Sequence, residues 1–356
     1  MINHRGAVRR VTIAITLFAL LGLAACGGDS TDASASASGA GDGTTTGADD
    51  PGSDEGLRPV TLVLDWTPNT NHGGIYLADQ AGYYAAAGID LEIIQPGDTG
   101  SIQAVATGHA DFGVSVQESL IPAQVQGVPV VSVAAIVQHN TSSLMALASS
   151  GITDPSSLPG QTYGGFGGQL EQALIDRLVE CSGGDPSEVV YVEVGNTDYR
   201  VGLETDAFDF VWVFDGWDKI RMEQAGVPVV TIPFIDHLDC IPDWYTPLLM
   251  TSTELAADDP ELVADFLAAT AQGYDEAIAD PAAAADALLA GAPELDPELV
   301  RASAEYLAGQ YALDAPQWGY QDREVWVGFS DFLVEAGMID EPVDVTTAFT
   351  NKFLPG

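Results

Sequence analysis

From residue 60 onward, short apolar runs alternate with longer stretches whose apolar positions recur at helical spacing. The runs at 60–64, 89–94, 111–116 and 128–137 are rich in β-branched residues and predict strands, while 74–87 and 117–126 predict helices. This punctuation implies a mainly parallel sheet with right-handed crossovers. A second block repeats it, with strands predicted at 162–166, 189–194, 208–214 and 229–232 and helices at 169–180 and 216–224. After Leu248-Leu249-Met250 the pattern turns helical, at 260–280, 281–289, 297–311 and 322–335, with Asp-Pro pairs entering several of these segments. Extended segments near 140–148 and 244–253 flank the second block and predict two crossings between lobes. The expected architecture is α/β and bilobed: lobe 1 from 58–145 plus 250–356, lobe 2 from 146–249, a two-segment hinge, and a ligand in the cleft.

The first residues set the compartment. Arg5, Arg9 and Arg10 precede an apolar stretch that ends in Leu23-Ala24-Ala25-Cys26. A basic start, a short apolar core and small residues before the cut define a secretory leader over 1–25, too short for a comfortable membrane span. Cysteine directly after Leu-Ala-Ala resembles a bacterial lipobox, which makes Cys26 the expected lipid carrier and anchors the protein outside the cytoplasm. Residues 26–57 are almost wholly small and polar and predict a flexible tether.

Charge then narrows the partners. Without the three leader arginines, 8 basic residues stand against 52 acidic ones, a net charge of −44. Nucleic acid is excluded as a natural partner, and charge-driven binding to an anionic lipid surface is implausible. Cys181 and Cys240 are the two remaining cysteines, and outside the cytoplasm they are candidates for a disulfide. His72, His109, His139 and His237 are scattered without metal-ligand spacing, no nucleophile motif is present, and neither a metal nor a cofactor is expected.

The run LDWTPNTNHGGIY, residues 64–76, places Trp66, Asn69, Asn71 and His72 on a strand-to-helix loop, where open α/β sheets bind ligands. Asn71 is the best candidate for a turn residue among these. Tyr163-Gly164-Gly165-Phe166-Gly167-Gly168 lacks the spacing of a phosphate-binding loop. It reads either as a tight turn or as a close approach of backbone, Gly165 included, to a ligand. Glu171 either complements the dipole of the helix behind it or accepts hydrogen bonds from an amino group. Trp212, Asp215 and Trp217 end a strand and begin a helix, and Tyr245 lies on the second crossing. None of these loops carries Lys or Arg, so the set suits a flat, neutral or weakly cationic nitrogen-bearing ring better than an anion.

LDWTPNTNHGGIYLADQAGYY, ADFGVSVQESLIPAQVQGVPVVSVAAIVQHNTS, YGGFGGQLEQALI, WVFDGWD and DWYTPLLMTS together resemble, in order, the thiamine-precursor-binding lipoproteins of bacterial ABC importers, in the NMT1/THI5-like group. The resemblance covers 60 to about 338. It implies a type II periplasmic-binding-protein fold, an aminopyrimidine ligand of the formylaminopyrimidine or hydroxymethylpyrimidine type, and an ABC permease with its ATPase as partners. A monomer is expected. Trp66, Asn69, His72, Tyr163, Glu171, Trp212, Trp217 and Tyr245 become candidate pocket residues, with Glu171 the partner of the aminopyrimidine edge. Riboflavin, a nucleobase-like compound or a sulfonate are alternative cargoes. A pyrimidine synthase sharing the fold is the alternative from another class; the resemblance implies a lysine-bound pyridoxal phosphate, an active-site His and a cysteine-rich iron motif for it.

Overall fold

The computed structural model describes residues 56–195 and 197–356. The leader at 1–25, Cys26 and all but the last two residues of the tether at 26–57 lie outside the described residues. Ten strands follow in chain order among the described residues: β1 Arg58–Val63, β2 Ile89–Ile94, β3 Phe112–Ser115, β4 Val130–Ala135, β5 Ser142–Leu147, β6 Thr162–Gly165, β7 Val190–Glu193, β8 Phe210–Phe214, β9 Val229–Pro233 and β10 Leu248–Ser252. Helices of eight or more residues are α1 Gly73–Gln80, α2 Gln117–Val125, α3 Gln169–Cys181, α4 Pro260–Ala279, α5 Pro281–Gly291, α6 Pro297–Ala308 and α7 Arg323–Glu335.

The strands form two five-stranded sheets, ordered β2-β1-β3-β10-β4 and β7-β6-β8-β5-β9. Each contains a parallel trio, β2-β1-β3 in the first and β7-β6-β8 in the second. The mainly parallel expectation needs one correction. β10 lies antiparallel between β3 and β4, and β5 antiparallel between β8 and β9. These are the first strands laid down after each crossing, so the two expected crossing segments are largely strands. Boundaries at 145/146 and 249/250 would cut β5 and β10 in two. Sheet pairing moves the crossings to about 136–141 and 241–247. Both strands are buried on both faces, which removes the polar alternation that marks a sheet strand.

The helical tail does not belong to one lobe. Phe112 stacks on Phe266 of α4 with ring centroids 3.8 Å apart, inside the first sheet's core. A second core runs continuously from Val63 in β1 through Tyr163 and Phe210 to Trp244 and Phe329. There α7 meets α3: Arg177 pairs with Glu335 at 2.8 Å, and its guanidinium lies 5.6 Å over the Phe332 ring. A disulfide joins Cys181, the last residue of α3, to Cys240 just before the second crossing, with Cα atoms 6.0 Å apart.

Two contacts fix the site's supports. Helices α1 and α4 approach so closely that a Cβ on Gly273 would sit 2.1 Å from the Gly74 carbonyl oxygen. At the crossings, His139 lies between two carboxylates, with Nδ1 2.5 Å from Asp243 and Nε2 3.1 Å from Asp314. Asp243 also accepts the Asn140 and Trp244 backbone N–H groups, both at 2.9 Å, and so ties one crossing to the other. The hydrogen bond to Asp243 outweighs burial and, with Asp314, pushes the imidazole up to about 9.

Replacing Gly273 by Ala must separate the two helices, at a cost of about 1–3 kcal/mol; thermal unfolding by circular dichroism should show the loss, and an unchanged melting temperature would refute so tight a crossing. Because the folded state raises the His139 pKa, the clamp's stabilisation is complete below the unfolded value of about 6.5 and fades as pH rises through about 9. His139→Ala should flatten the fall in chemical stability across that window; a parallel fall in variant and parent would remove the clamp from the account.

Candidate functional site

β1 ends where Leu64 donates to Ile94, and the chain then leaves the sheet at Asp65. Asn69 caps the short turn that follows by accepting the Asn71 N–H at 2.9 Å. His72 closes the loop from inside. Its Nδ1 accepts the Asn69 N–H at 3.2 Å, which leaves Nε2 to donate to Asp65 at 2.8 Å. Tyr274 and Tyr311 donate their hydroxyls to the Asn71 and Thr70 carbonyls from behind, at 2.7 and 2.6 Å. With the backbone held this way, Trp66 stays 57 % exposed.

The second lobe reaches the same result by a related device. Glu171, buried in the first turn of α3, accepts from the Tyr163 hydroxyl at 2.9 Å, the Phe166 N–H at 3.0 Å and the Gly168 N–H at 2.9 Å. Those bonds pin the glycine-rich loop. Gly167 has φ +79°, and a Cβ on Gly165 would lie 2.3 Å from the Tyr163 ring and 2.7 Å from Glu171. The outcome is a Phe166 ring 53 % exposed.

Between these loops lies a cavity of about 730 Å³, walled by residues 65–71 on one side and by Phe166, Tyr199, Phe214, Trp217, Asp218 and Arg221 on the other. Val116 and Glu118 also line it, as do Thr141 on the first crossing and Thr246 and Pro247 on the second, so the crossings form part of its wall. Its position beyond the carboxyl ends of β1, β3, β6 and β8 is where open α/β sheets bind ligands. Trp217 also packs against the apolar cluster of α5 and α6, which includes Leu288 and Val300, so the second lobe touches the helical tail here.

Of the sequence-predicted residues, Trp66, Asn69 and Trp217 line the cavity. Asn71 does too, while its carbonyl serves the turn. The others stand behind the wall. His72 and Tyr163 are buried, and Glu171 is occupied by three donors. Gly165 is a close-packing position and not a backbone approach to the cavity. Trp212 meets Phe234 and Trp244 edge to face at 5.4 and 6.1 Å. Asp215 is buried, donates its N–H to Thr141 at 3.0 Å, and has its carboxyl raised chiefly by burial. Tyr245 is sealed, its hydroxyl accepting the Asp322 N–H at 2.7 Å.

The sequence reading did not single out Asp65, Glu118, Phe166, Tyr199 or Phe214 as ligand contacts. It also expected no basic side chain at the site. Arg221 corrects that: one helical turn beyond Trp217, it lies 3.8 Å from Asp198 and 3.9 Å from Asp218. Burial pushes Asp218 up to about 6 against the opposing pull of the Phe214 N–H and Arg221. The i, i+4 spacing from Trp217 was the available signal. Among the described residues, no group of three or more His, Cys, Asp or Glu is placed to hold a metal ion.

The NMT1/THI5-like family profile matches residues 69–284. The chain is 28 % identical over 319 residues to the formylaminopyrimidine-binding protein of Halalkalibacterium halodurans, covering 86 % of this chain and 93 % of that protein. It is 29 % identical over 330 residues to the riboflavin-binding protein RibY of Chloroflexus aurantiacus, covering 87 % and 90 %. A 4-amino-5-hydroxymethyl-2-methylpyrimidine phosphate synthase of Legionella pneumophila is 28 % identical over 299 residues, covering 83 % and 92 %. Among solved structures, the periplasmic aliphatic sulphonate-binding protein SsuA of Escherichia coli superposes with a TM-score of 0.63 at 13 % identity, covering 82 % and 91 %, which establishes a shared fold. With two sheets, two crossings and a cleft in the periplasmic-binding-protein fold, and with a family profile spanning more than half its length, this chain belongs to the NMT1/THI5-like family.

Proposed function

We propose that the protein is the extracytoplasmic substrate-binding lipoprotein of an ABC importer, tethered through Cys26, that captures an aminopyrimidine precursor of thiamine and delivers it as a monomer to a permease. The observation that carries this reading is the cavity between the lobes, with the exposed rings of Trp66 and Phe166 supplied by opposite sides. Flat rings stack on such faces, and each good aromatic pair adds on the order of 1 kcal/mol beyond burial. Ligand contacts on both walls favour the closed arrangement over the open one, and that difference drives closure. The similarity to a formylaminopyrimidine-binding protein supports the cargo.

A second reading keeps transport and enlarges the cargo. At about 730 Å³ the cavity lies in the upper part of the usual range for small-molecule sites. That size favours a flavin, in keeping with the similarity to a riboflavin-binding protein. The synthase reading fits the residues poorly. A lysine-bound pyridoxal phosphate needs a lysine in the cleft, whereas Lys219 is absent from the cavity wall and Lys352 sits 4.3 Å over the Phe353 ring near the chain end. Cys181 and Cys240 are joined to each other and offer no cysteine-rich iron motif.

Differential scanning fluorimetry with 4-amino-5-hydroxymethyl-2-methylpyrimidine and its formylaminomethyl analogue should show stabilisation of about 2.7 kcal/mol at a hundred times the dissociation constant. A shift with riboflavin alone would select the second reading, and one with an alkanesulfonate alone would defeat both. Trp66→Ala should weaken pyrimidine binding about tenfold while leaving the ligand-free melting temperature unchanged, since the ring is largely exposed. Glu171→Ala should lower the ligand-free melting temperature, because three donors lose their acceptor. Loss of binding without that drop would place Glu171 on the ligand.

A further inference from the structure

Arg221 is the one basic side chain on the cavity wall among the described residues. A π-helical turn over Asp215–Lys219 follows β8 and continues as the short helix Ile220–Gln224, and Trp217, Asp218 and Arg221 from this stretch all line the cavity. The Arg221 side chain is half exposed. One of its terminal nitrogens lies 3.8 Å from Asp198 and the other 3.9 Å from Asp218. Both separations exceed hydrogen-bond length, so the two carboxylates hold the group by charge without engaging its N–H donors. The other oxygen of each carboxylate serves the backbone: Asp198 accepts the Val201 N–H at 3.2 Å, and Asp218 the Phe214 N–H at 3.4 Å. Arg221 also borders a smaller cavity of about 130 Å³, lined in addition by Met145, Arg200 and Met222. Two open spaces therefore meet at a side chain whose forked donors are held in place by charge.

We infer that Arg221 is a specificity-determining residue whose guanidinium donates to an uncharged oxygen on the side arm of the cargo, the formamide carbonyl of a formylaminomethylpyrimidine. This rests on the aminopyrimidine reading of the cleft and deepens it by naming what the ring carries. Stacking on Trp66 and Phe166 reads the flat ring and is largely indifferent to an arm at its edge. A guanidinium, by contrast, recognises an oxygen that can accept from its fork, and a carbonyl offers two lone pairs.

An anion is the usual partner of an arginine, and here the surroundings oppose one. Asp65, Glu118, Asp198 and Asp218 line the same wall, four carboxyls against one guanidinium. A phosphate or sulfonate arm would meet their repulsion at short range, where salt screens it incompletely. A neutral carbonyl takes the hydrogen bond without that cost. Because the donor is charged, the bond contributes more than one between neutral groups, on the order of tenfold or more in affinity.

The test is isothermal titration at neutral pH of the full folded chain and of its Arg221→Met and Arg221→Lys variants. The ligands are 4-amino-5-formylaminomethyl-2-methylpyrimidine, 4-amino-2,5-dimethylpyrimidine, which keeps the ring and lacks the oxygen, and 4-amino-5-hydroxymethyl-2-methylpyrimidine phosphate. Wild type should bind the formamide about tenfold to a hundredfold more tightly than the dimethyl compound, and the phosphate more weakly than the formamide. Arg221→Met should erase most of that preference by weakening the formamide alone, with the dimethyl compound within about threefold of wild type. Arg221→Lys keeps a charge between Asp198 and Asp218 without the planar fork, and should reduce the same preference. Equal weakening of both neutral pyrimidines in Arg221→Met, or an unchanged preference in either variant, overturns the contact and leaves the cargo reading standing. Tighter binding of the phosphate than of the formamide by wild type also overturns it. Binding of none of the pyrimidines by wild type overturns the cargo reading, and this inference with it. Arg221→Lys retains the ion pairs, so it decides the matter if Arg221→Met folds poorly.

Discussion

The cavity depends on the chain passing twice between two sheets and pairing on both edges each time it arrives. β5 and β10 are interior strands, antiparallel to both neighbours, so displacing either crossing would break hydrogen bonds on two sides at once. The crossings are further bound to each other through His139, Asp243 and the Asn140 and Trp244 backbone. With these anchors set, the strand ends of both sheets face one gap, and the loops that follow them become its walls. The aromatic stack of Trp244 on Phe329, at 5.0 Å, carries the same constraint into the helical tail.

Both lobes meet a similar local problem in a similar way. A loop that must show an aromatic ring to the cleft needs its own backbone held from behind. In the first lobe the buried His72 and Asn69 do this, and in the second Glu171 and Tyr163. Buried polar groups demand partners, and here the partners are largely loop N–H groups. The rings of Trp66 and Phe166 are left outside each network and line the cavity.

A strongly acidic chain also shapes its own cleft. Asp65, Glu118, Asp198 and Asp218 surround a cavity whose one basic side chain, among the described residues, is Arg221. Burial raises the cost of ionising such carboxyls, and at Glu118 the Asp65 charge adds to it, so both Glu118 and Asp218 are shifted upward.

The sequence by itself determined the α/β alternation, the two blocks, the helical tail, the family and the first loop as a wall of the site. These rest on local period and motif, which neighbours in space do not alter. Tertiary structure alone decided that 142–147 and 248–252 are interior strands, because a strand buried on both faces shows no polar alternation to mark its pairing. It also decided which side chain faces the cavity. His72 and Asp65, or Glu171 and Phe166, lie close in sequence on loops equally able to expose either member. Which one turns inward depends on the donors and acceptors that packing leaves unsatisfied, a count that exists only once the lobes are folded together.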